Sequence, residues 1–227
     1  MSIVSVRNLT REYPQGTHTV HALRGVDLDI EPGEFTVLMG PSGSGKTTLL
    51  NLIGALDEPT AGTVTIDGRE LSAMSSGERS DLRLERLGFV FQSYNLIPVL
   101  SAFENAEFVL MLRGMGKSER TQRVMETLHA VGLEGMEDRR PNQLSGGQQQ
   151  RVAVARAIAG KPALVLADEP TANLDSKTSG ELIELMKALN EQHGVTFLFA
   201  THDPSVMAAA KRVVRLVDGK IDEDLRR

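Results

Sequence analysis

The segment GPSGSGKTT, residues 40–48, constrains this chain more than any other. It matches the pattern G-x-x-x-x-G-K-[ST], in which a glycine-rich backbone wraps around a phosphate group. That pattern requires a strand before it and a helix after it. The apolar run 35–39 predicts a buried strand, and residues 47–55 predict a helix. The sequence therefore predicts a phosphate-binding loop (P-loop) at a strand-to-helix turn.

The residue types in this loop suit a nucleotide and a metal ion. Glycines let successive backbone N–H groups point at one anion, which also faces the positive end of the helix dipole. Lys46 can reach the β- and γ-phosphates, and the Thr47 hydroxyl can bind Mg²⁺. The alternative is a glycine-rich turn that binds nothing, and the complete motif in its context disfavours it. The predicted nucleotide-binding residues here are Gly40, Ser42, Gly43, Ser44, Gly45, Lys46, Thr47 and Thr48.

Composition narrows the class of protein. The chain has 227 residues and is 41% hydrophobic, which suits one large α/β domain with a substantial core. A net charge of −5 without Lys/Arg runs argues against a nucleic-acid partner. No apolar stretch approaches the roughly 20 residues that span a bilayer, and the N-terminus does not resemble a signal peptide. We therefore expect a cytoplasmic protein, and the lack of cysteine excludes disulfides and thiolate chemistry.

The two ends of the chain predict β structure. Short alternating runs in residues 3–39 predict a small β-rich layer, with breaks at Pro14, Gly16 and Pro32-Gly33. Tyr13 falls in the first of these breaks. Residues 213–221 predict a closing hairpin, and the charged tail that ends at residue 227 is expected to fray.

The middle of the chain, about 93–160, predicts a helical subdomain. Ser101 and Glu104 form a capping box that opens one helix, and residues 117–131 predict another. The loop 93–100 (SYNLIPVL) is rich in apolar residues, which predicts either a docking surface or ordinary packing against a neighbouring helix. Residues 1–227 then form a single domain, in which about 1–92 and 161–227 supply the P-loop core and the β layer.

Polar side chains follow three predicted buried strands. Asp168 and Glu169 come directly after residues 164–167, Gln92 follows 88–91, and His202 follows 196–200. Ligands of open α/β sheets bind at the carboxyl ends of the strands. Asp168 can hold Mg²⁺ through water, and Glu169 can orient or deprotonate an attacking water. A solvated turn and an incidental histidine are the alternatives, and the shared sheet edge makes them less favoured.

A second glycine motif, LSGGQ at residues 144–148, precedes a helix predicted over 148–159. Ser145 can cap this helix, and its N-terminus is a second potential anion site. Taken alone, Ser-Gly-Gly is also typical of a helix cap with no further role.

Together, the P-loop, Gln92, LSGGQ, Asp168-Glu169 and His202 stand in an order and spacing that resembles the nucleotide-binding domain of ABC ATPases. The resemblance covers essentially the whole chain. It implies an α/β P-loop NTPase with a RecA-like core, an antiparallel β subdomain and an α-helical subdomain. It also implies an ATPase that uses ATP and Mg²⁺, and a homodimer that encloses two ATP molecules head to tail.

The resemblance assigns roles to matching positions. Tyr13 corresponds to the aromatic that stacks on adenine, and His202 to the switch histidine on the γ-phosphate. Gln92 corresponds to the glutamine that senses Mg²⁺ and the permease. The implied catalytic residues are Glu169, His202 and Gln92, and the implied metal-site residues are Thr47, Gln92 and Asp168. The LSGGQ residues that would contact the ATP of the other subunit are Ser145, Gly146, Gly147 and Gln148.

Further segments are similar to one branch of this family, the lipoprotein-release, macrolide-export and cell-division ATPases, with the lipoprotein-release (LolD) type most similar. Members pair with permeases that have few transmembrane helices and a large extracytoplasmic domain, which implies a peripheral position on the cytoplasmic face of the inner membrane. An ATP switch of the cell-division type, which signals without transport, is the alternative. A third possibility is a soluble ABC ATPase acting on DNA or ribosomes, but such proteins usually carry a coiled-coil insertion or two fused ATPase domains, and neither is seen in this sequence. The segments are 13–23, 56–62, 91–98, 104–105 and 172–175.

Overall fold

The computed structural model describes residues 2–16 and 18–227, so Met1 and Thr17 of the predicted domain lie outside it. Within these residues the strands form a four-stranded and a six-stranded sheet. The smaller sheet is antiparallel, with strand order β2-β1-β4-β5. Its strands are β1 (Val4–Gln15), β2 (His18–Ile30), β4 (Ala61–Ile66) and β5 (Arg69–Glu70).

The larger sheet carries the P-loop strand. Its order is β10-β9-β3-β8-β7-β6, and every pairing is parallel except that of the edge strand β10 with β9. The inner strands are almost continuously apolar, as expected for parallel strands that are covered on both faces. The strands are β3 (Phe35–Met39), β6 (Leu87–Phe91), β7 (Leu164–Asp168), β8 (Phe197–Ala200), β9 (Arg212–Val217) and β10 (Lys220–Arg226).

Helices cover this sheet on both faces. None of those formed by residues 2–16 and 18–227 combines the length and the apolar character that a bilayer crossing requires. The helices are α1 (Lys46–Ile53), α2 (Ser76–Arg86), α3 (Ala102–Leu112), α4 (Lys117–Ala130), α5 (Gly146–Ala159), α6 (Ser176–His193) and α7 (Pro204–Ala209).

The core consists of two apolar clusters separated by the large sheet. Alternate residues of β7 face opposite sides: Val165 joins the cluster that includes residues of α3 to α6, whereas Leu166 joins the cluster that includes α1 and the small sheet. Both faces of the sheet are therefore buried, and its strand ends remain available for ligands.

The register of the parallel strands brings their carboxyl ends level. Phe91 lies opposite Asp168, Asp168 lies opposite Ala200, and Ala200 lies opposite Leu38. The residues that follow these four positions therefore meet along one edge of the sheet.

The middle helices pack on one another, and the predicted capping box is confirmed. The Ser101 backbone N–H donates to Glu104 at 2.8 Å, and the Glu104 N–H donates to the Ser101 hydroxyl at 3.2 Å. Helices α3, α4 and α5 contact each other in pairs. The subdomain boundaries near residues 93 and 160 stay a prediction.

Two local predictions are wrong. The chain does not break at Pro14, because β1 continues to Gln15 and therefore contains Tyr13. Beyond Thr10 this strand pairs with β2 alone, so the missing N–H of proline faces no neighbouring strand. The tail does not fray either, because β10 pairs with β9 as far as Arg226.

A buried asparagine of α3 orders the apolar loop 93–100. Asn105 is fully buried, and its Oδ1 accepts a hydrogen bond from the Ile97 N–H at 2.8 Å. Its Nδ2 donates to the carbonyl oxygens of Ile97, Leu100 and Ser101. One amide therefore satisfies backbone groups that the irregular loop cannot pair within itself.

Replacement of this amide should destabilise the protein. We expect Asn105→Leu to lower the free energy of unfolding by about 2–4 kcal/mol, because loop groups lose their partners while buried. Urea denaturation followed by circular dichroism measures the change. The control is Gln122→Ala, which removes one exposed hydrogen bond to Glu126 and should cost less than about 0.5 kcal/mol. Equal losses in the two variants would contradict the role given to Asn105.

Candidate functional site

The P-loop joins β3 to α1 in a conformation that needs glycine. Gly45 caps α1 with a φ of 103°, in the left-handed region. A Cβ atom at Gly40 would lie 2.0 Å from the carbonyl oxygen of Leu216, so no side chain fits there. The loop is thus formed by close backbone contact with β9 as well as by its own sequence.

A cavity of about 600 Å³ opens above this loop. It brings together most of the P-loop residues predicted to bind nucleotide, along with predicted groups from three other strand ends, and one wall comes from β2. The lining residues are Val20, His21, Ala22, Gly40, Pro41, Ser42, Gly43, Gly45, Lys46, Thr47, Thr48, Gln92, Glu169, Ala172 and His202.

The two polar side chains that open α1 already have partners. The Lys46 ammonium donates to the carbonyl oxygens of Gly40 and Pro41 at 2.8 and 3.0 Å, so it folds back over the loop. The Thr47 hydroxyl donates to Asp168 Oδ1 at 3.2 Å. These contacts place one ammonium and two hard oxygen ligands around the start of the helix.

Burial is the largest influence on the pKa of the Asp168 carboxyl. Burial raises its pKa above the ordinary value of 3.8, and the charge of Glu169 raises it further. The hydrogen bond from Thr47 and the charge of Lys46 act in the opposite direction. A cation beside Asp168 would likewise lower its pKa.

Glu169 sits at the sheet edge in an unusual backbone conformation. Its φ is 46°, and its N–H donates to the Ala200 carbonyl at 2.8 Å. Its Oε2 accepts a hydrogen bond from the Thr201 hydroxyl at 2.9 Å, and its Oε1 lies 2.8 Å from His202 Nδ1. The carboxylate is therefore fixed by both residues that follow β8. Thr201 is fully buried and was missed in the sequence; its position between a buried strand and His202 was the available signal.

Gln92 contacts a second loop at the same edge. Its Nε2 lies 3.3 Å from Asn173 Oδ1, and Asn173 Nδ2 donates to the Gln92 carbonyl at 3.0 Å. The loop after β7 therefore holds Gln92 from outside the cavity. Asn173 lies in the segment 172–175 that resembles the family, but the sequence indicated no role for its side chain, although it stands two residues before the Asp175 that caps α6.

The LSGGQ residues lie outside the cavity. Ser145 caps α5, and its N–H donates to Gln148 Oε1 at 2.9 Å, which confirms the predicted helix cap. A Cβ atom at Gly146 would come within 2.9 Å of the Tyr94 hydroxyl, and one at Gly147 within 2.4 Å of Thr178 Cγ2. Contact of these residues with a nucleotide stays a prediction.

Tyr13 and Ser44 are likewise absent from the cavity lining. The Tyr13 hydroxyl donates to Asp57 at 2.6 Å, and the Arg11 guanidinium lies 4.5 Å from the centre of the tyrosine ring. Ser44 is buried, and its hydroxyl has no hydrogen-bond partner within the described part of the chain. The adenine contact of Tyr13 stays a prediction.

Comparisons with known proteins identify the family of this chain. Residues 23–172 match the family described as ABC transporter. The chain is 45% identical over 226 residues to the uncharacterized ABC transporter ATP-binding protein MJ0796 of Methanocaldococcus jannaschii, covering 98% of this chain and 96% of that one. It is 46% identical over 226 residues to the macrolide export ATP-binding/permease protein MacB of Syntrophobacter fumaroxidans, covering 99% of this chain but 32% of that protein. The chain thus spans about a third of that relative's length.

A solved structure shows the same fold. The dimeric, post-hydrolysis structure of the ATP-binding cassette MJ0796 bound to ADP and Pi superposes with a TM-score of 0.90 at 45% identity, covering 98% of both chains. A second dimeric structure of MJ0796 matches with a TM-score of 0.90 at 44% identity. The predicted α/β cassette fold is confirmed. On the family match and these identities, the chain belongs to the ABC transporter family.

Proposed function

We propose that this chain is the ATP-binding and ATP-hydrolysing subunit of an ABC transporter. The observation that carries the proposal is the single cavity in which the P-loop, Gln92, Glu169 and His202 meet. The post-hydrolysis state of MJ0796, with ADP and Pi, supports hydrolysis as the reaction.

The residues of the cavity divide the chemistry among them. Lys46 exchanges its two loop carbonyls for phosphate oxygens when ATP binds, which gives a stronger, charge-assisted contact. Glu169 orients the attacking water or accepts its proton, and it is held in place by Thr201 and His202. His202 is exposed in the cavity and can contact the γ-phosphate.

The donor set suits Mg²⁺ bound together with the substrate. Thr47 and Asp168 supply hydroxyl and carboxylate oxygens 3.2 Å apart, which are the ligands that Mg²⁺ prefers. Among residues 2–16 and 18–227, no group of three or more His, Cys, Asp or Glu side chains could hold a metal alone. Phosphate oxygens would complete the coordination, with Gln92 nearby. The ion would supply positive charge that neutralises the phosphates.

The position of LSGGQ supports a dimer. This motif opens α5 outside the cavity of its own chain, which favours contact with a nucleotide held by another copy, and MJ0796 has been solved as a dimer. We therefore place two ATP molecules between two chains, with each Ser145 helix N-terminus facing the opposite γ-phosphate. ATP binding closes this homodimer, and hydrolysis reopens it.

The membrane partner is a permease of the macrolide-export or lipoprotein-release type. MacB relatives, whose names include both ATP-binding and permease functions, match this chain over about a third of their length. We propose a separate or fused permease with few transmembrane helices and a large extracytoplasmic domain. Through it the cassette would lie on the cytoplasmic face of the inner membrane.

Glu169→Gln should stop hydrolysis without preventing ATP binding. The amide keeps the shape of the side chain but accepts no proton, so we expect phosphate release to fall by about 100-fold or more. The ATP-bound dimer should accumulate, as measured by light scattering after gel filtration. Glu191→Gln, which affects a surface pair with Lys211, is the control. Hydrolysis at the parent rate in Glu169→Gln would refute the role of this residue.

Lys46→Ala should weaken ATP binding. Loss of charge-assisted hydrogen bonds to phosphate should lower the affinity at least about tenfold, measured by isothermal titration calorimetry. The fold should survive, because both contacts of Lys46 are to its own loop. Lys117→Ala, at the exposed start of α4, should leave the affinity unchanged. Equal affinities in all three proteins would exclude Lys46 from the ATP site.

The permease can be identified by trapping. Tagged Glu169→Gln protein, incubated with ATP and Mg²⁺, is captured from gently solubilised native membranes, and co-purifying proteins are identified by mass spectrometry. We expect an integral membrane protein that is absent when Lys46→Ala is used instead. Recovery of soluble proteins alone, with the ATP dimer intact, would contradict the transporter proposal.

A further inference from the structure

A buried glutamine of α5 lies between this helix and the ends of β6 and β7. Gln150 follows the LSGGQ motif on the same helix, and it is fully buried. A buried amide is unfavourable unless its hydrogen bonds are made, so its partners reveal what it holds.

The partners of Gln150 are the backbones beside two predicted catalytic residues. Its Nε2 donates to the Pro170 carbonyl at 2.7 Å and lies 3.3 Å from the Phe91 carbonyl, to which it also donates. Pro170 follows Glu169, and Phe91 precedes Gln92. One amide nitrogen therefore joins α5 to the ends of β6 and β7.

The orientation of the Gln150 amide follows from which of its two polar atoms can donate hydrogen bonds. If the group were reversed, its oxygen would face two carbonyl oxygens, which can donate nothing. In the observed orientation Oε1 has no hydrogen-bond partner among residues 2–16 and 18–227. Gln150 thus keeps both hydrogen bonds that its Nε2 donates, although leaving Oε1 as an unpaired buried acceptor is unfavourable.

A second side chain of α5 contacts residues that follow Gln92 in the chain. The Arg156 guanidinium donates to the carbonyl oxygens of Tyr94 and Asn95, and burial lowers its pKa. Tyr94 and Asn95 have φ angles of 60° and 49°, a conformation that non-glycine residues rarely adopt without support. The segment 91–95 is therefore fastened to α5 before and after Gln92.

We infer that Gln150 is a positioning residue of the ATPase site, whose buried amide fixes Gln92 and Glu169 relative to the LSGGQ helix. The inference rests on the proposed function of this site. Movement of α5 on dimer closure is passed directly to the backbones of these two residues. Gln150 itself does not line the cavity.

The test compares two buried amides. Gln150→Met keeps the length of the side chain and removes its donors. The control, Asn190→Leu, removes a buried α6 amide that also donates to two carbonyl oxygens, those of Gly33 and Val195, both at 2.8 Å. Both variants should lose thermal stability, so stability alone does not distinguish them.

Turnover should distinguish them. In Gln150→Met we expect kcat for ATP to fall about 10- to 100-fold, since small misplacement of reacting groups has effects of this size. KM for ATP should change less than about twofold, because the P-loop contacts are untouched. Asn190→Leu should leave both parameters within about twofold of the parent. An unchanged kcat in Gln150→Met, or equal effects in the two variants, would overturn the inference.

Hydrogen exchange of the intact chain provides a readout that does not need turnover. Backbone amides in 91–95 and 169–172 should exchange faster in Gln150→Met and at the parent rate in Asn190→Leu. If the parent does not hydrolyse ATP, the proposed function fails on that result alone. Unchanged exchange in both segments of Gln150→Met would then overturn the inference independently.

Discussion

The site depends on the parallel pairing of β3, β8, β7 and β6. Their register sets Leu38, Ala200, Asp168 and Phe91 level with one another, so the next residue of each strand emerges at one edge. Apolar clusters cover both faces of this sheet, which leaves the edge as the place where polar groups can meet. A slip of one residue between β7 and β8 would separate Glu169 from Thr201 and His202.

Under the proposed function, each chain contributes one part of each of two ATP sites, and this edge of the sheet explains why. The P-loop, Glu169 and His202 converge on one cavity, whereas LSGGQ opens a helix that begins elsewhere. The two groups are nevertheless joined, because α5 carries LSGGQ at its start and contacts the backbone beside Gln92 and Glu169 through a buried amide. A partner chain that contacts LSGGQ would therefore also affect Glu169, the carboxylate proposed to be catalytic.

The sequence predicted those features that arise from local patterns. The P-loop turn, the helix caps at Ser101 and Ser145, and the inner strands all follow from short motifs or apolar runs. Features that depend on distant partners were missed. The contact of Thr201 with Glu169 spans 32 residues, that of Gln150 with Phe91 spans 59, and that of Gln92 with Asn173 spans 81. The passage of β1 through Pro14 also depends on pairing, since only the absence of a second neighbour there makes proline acceptable.

Under the proposed function, phosphate recognition and base recognition have different structural origins in this chain. The phosphate end is built on the large sheet, where close backbone contact between Gly40 and Leu216 leaves little freedom. Under the proposed function the base would lie against the β1–β2 hairpin, since Val20, His21 and Ala22 line the cavity and Tyr13 pairs with Val20. Asp57 holds the Tyr13 hydroxyl while Arg11 occupies one face of the ring, so a stacked base has only the other face available. The predicted adenine contact therefore depends on how the hairpin packs on the core, whereas the P-loop takes its shape from close backbone contact with the large sheet.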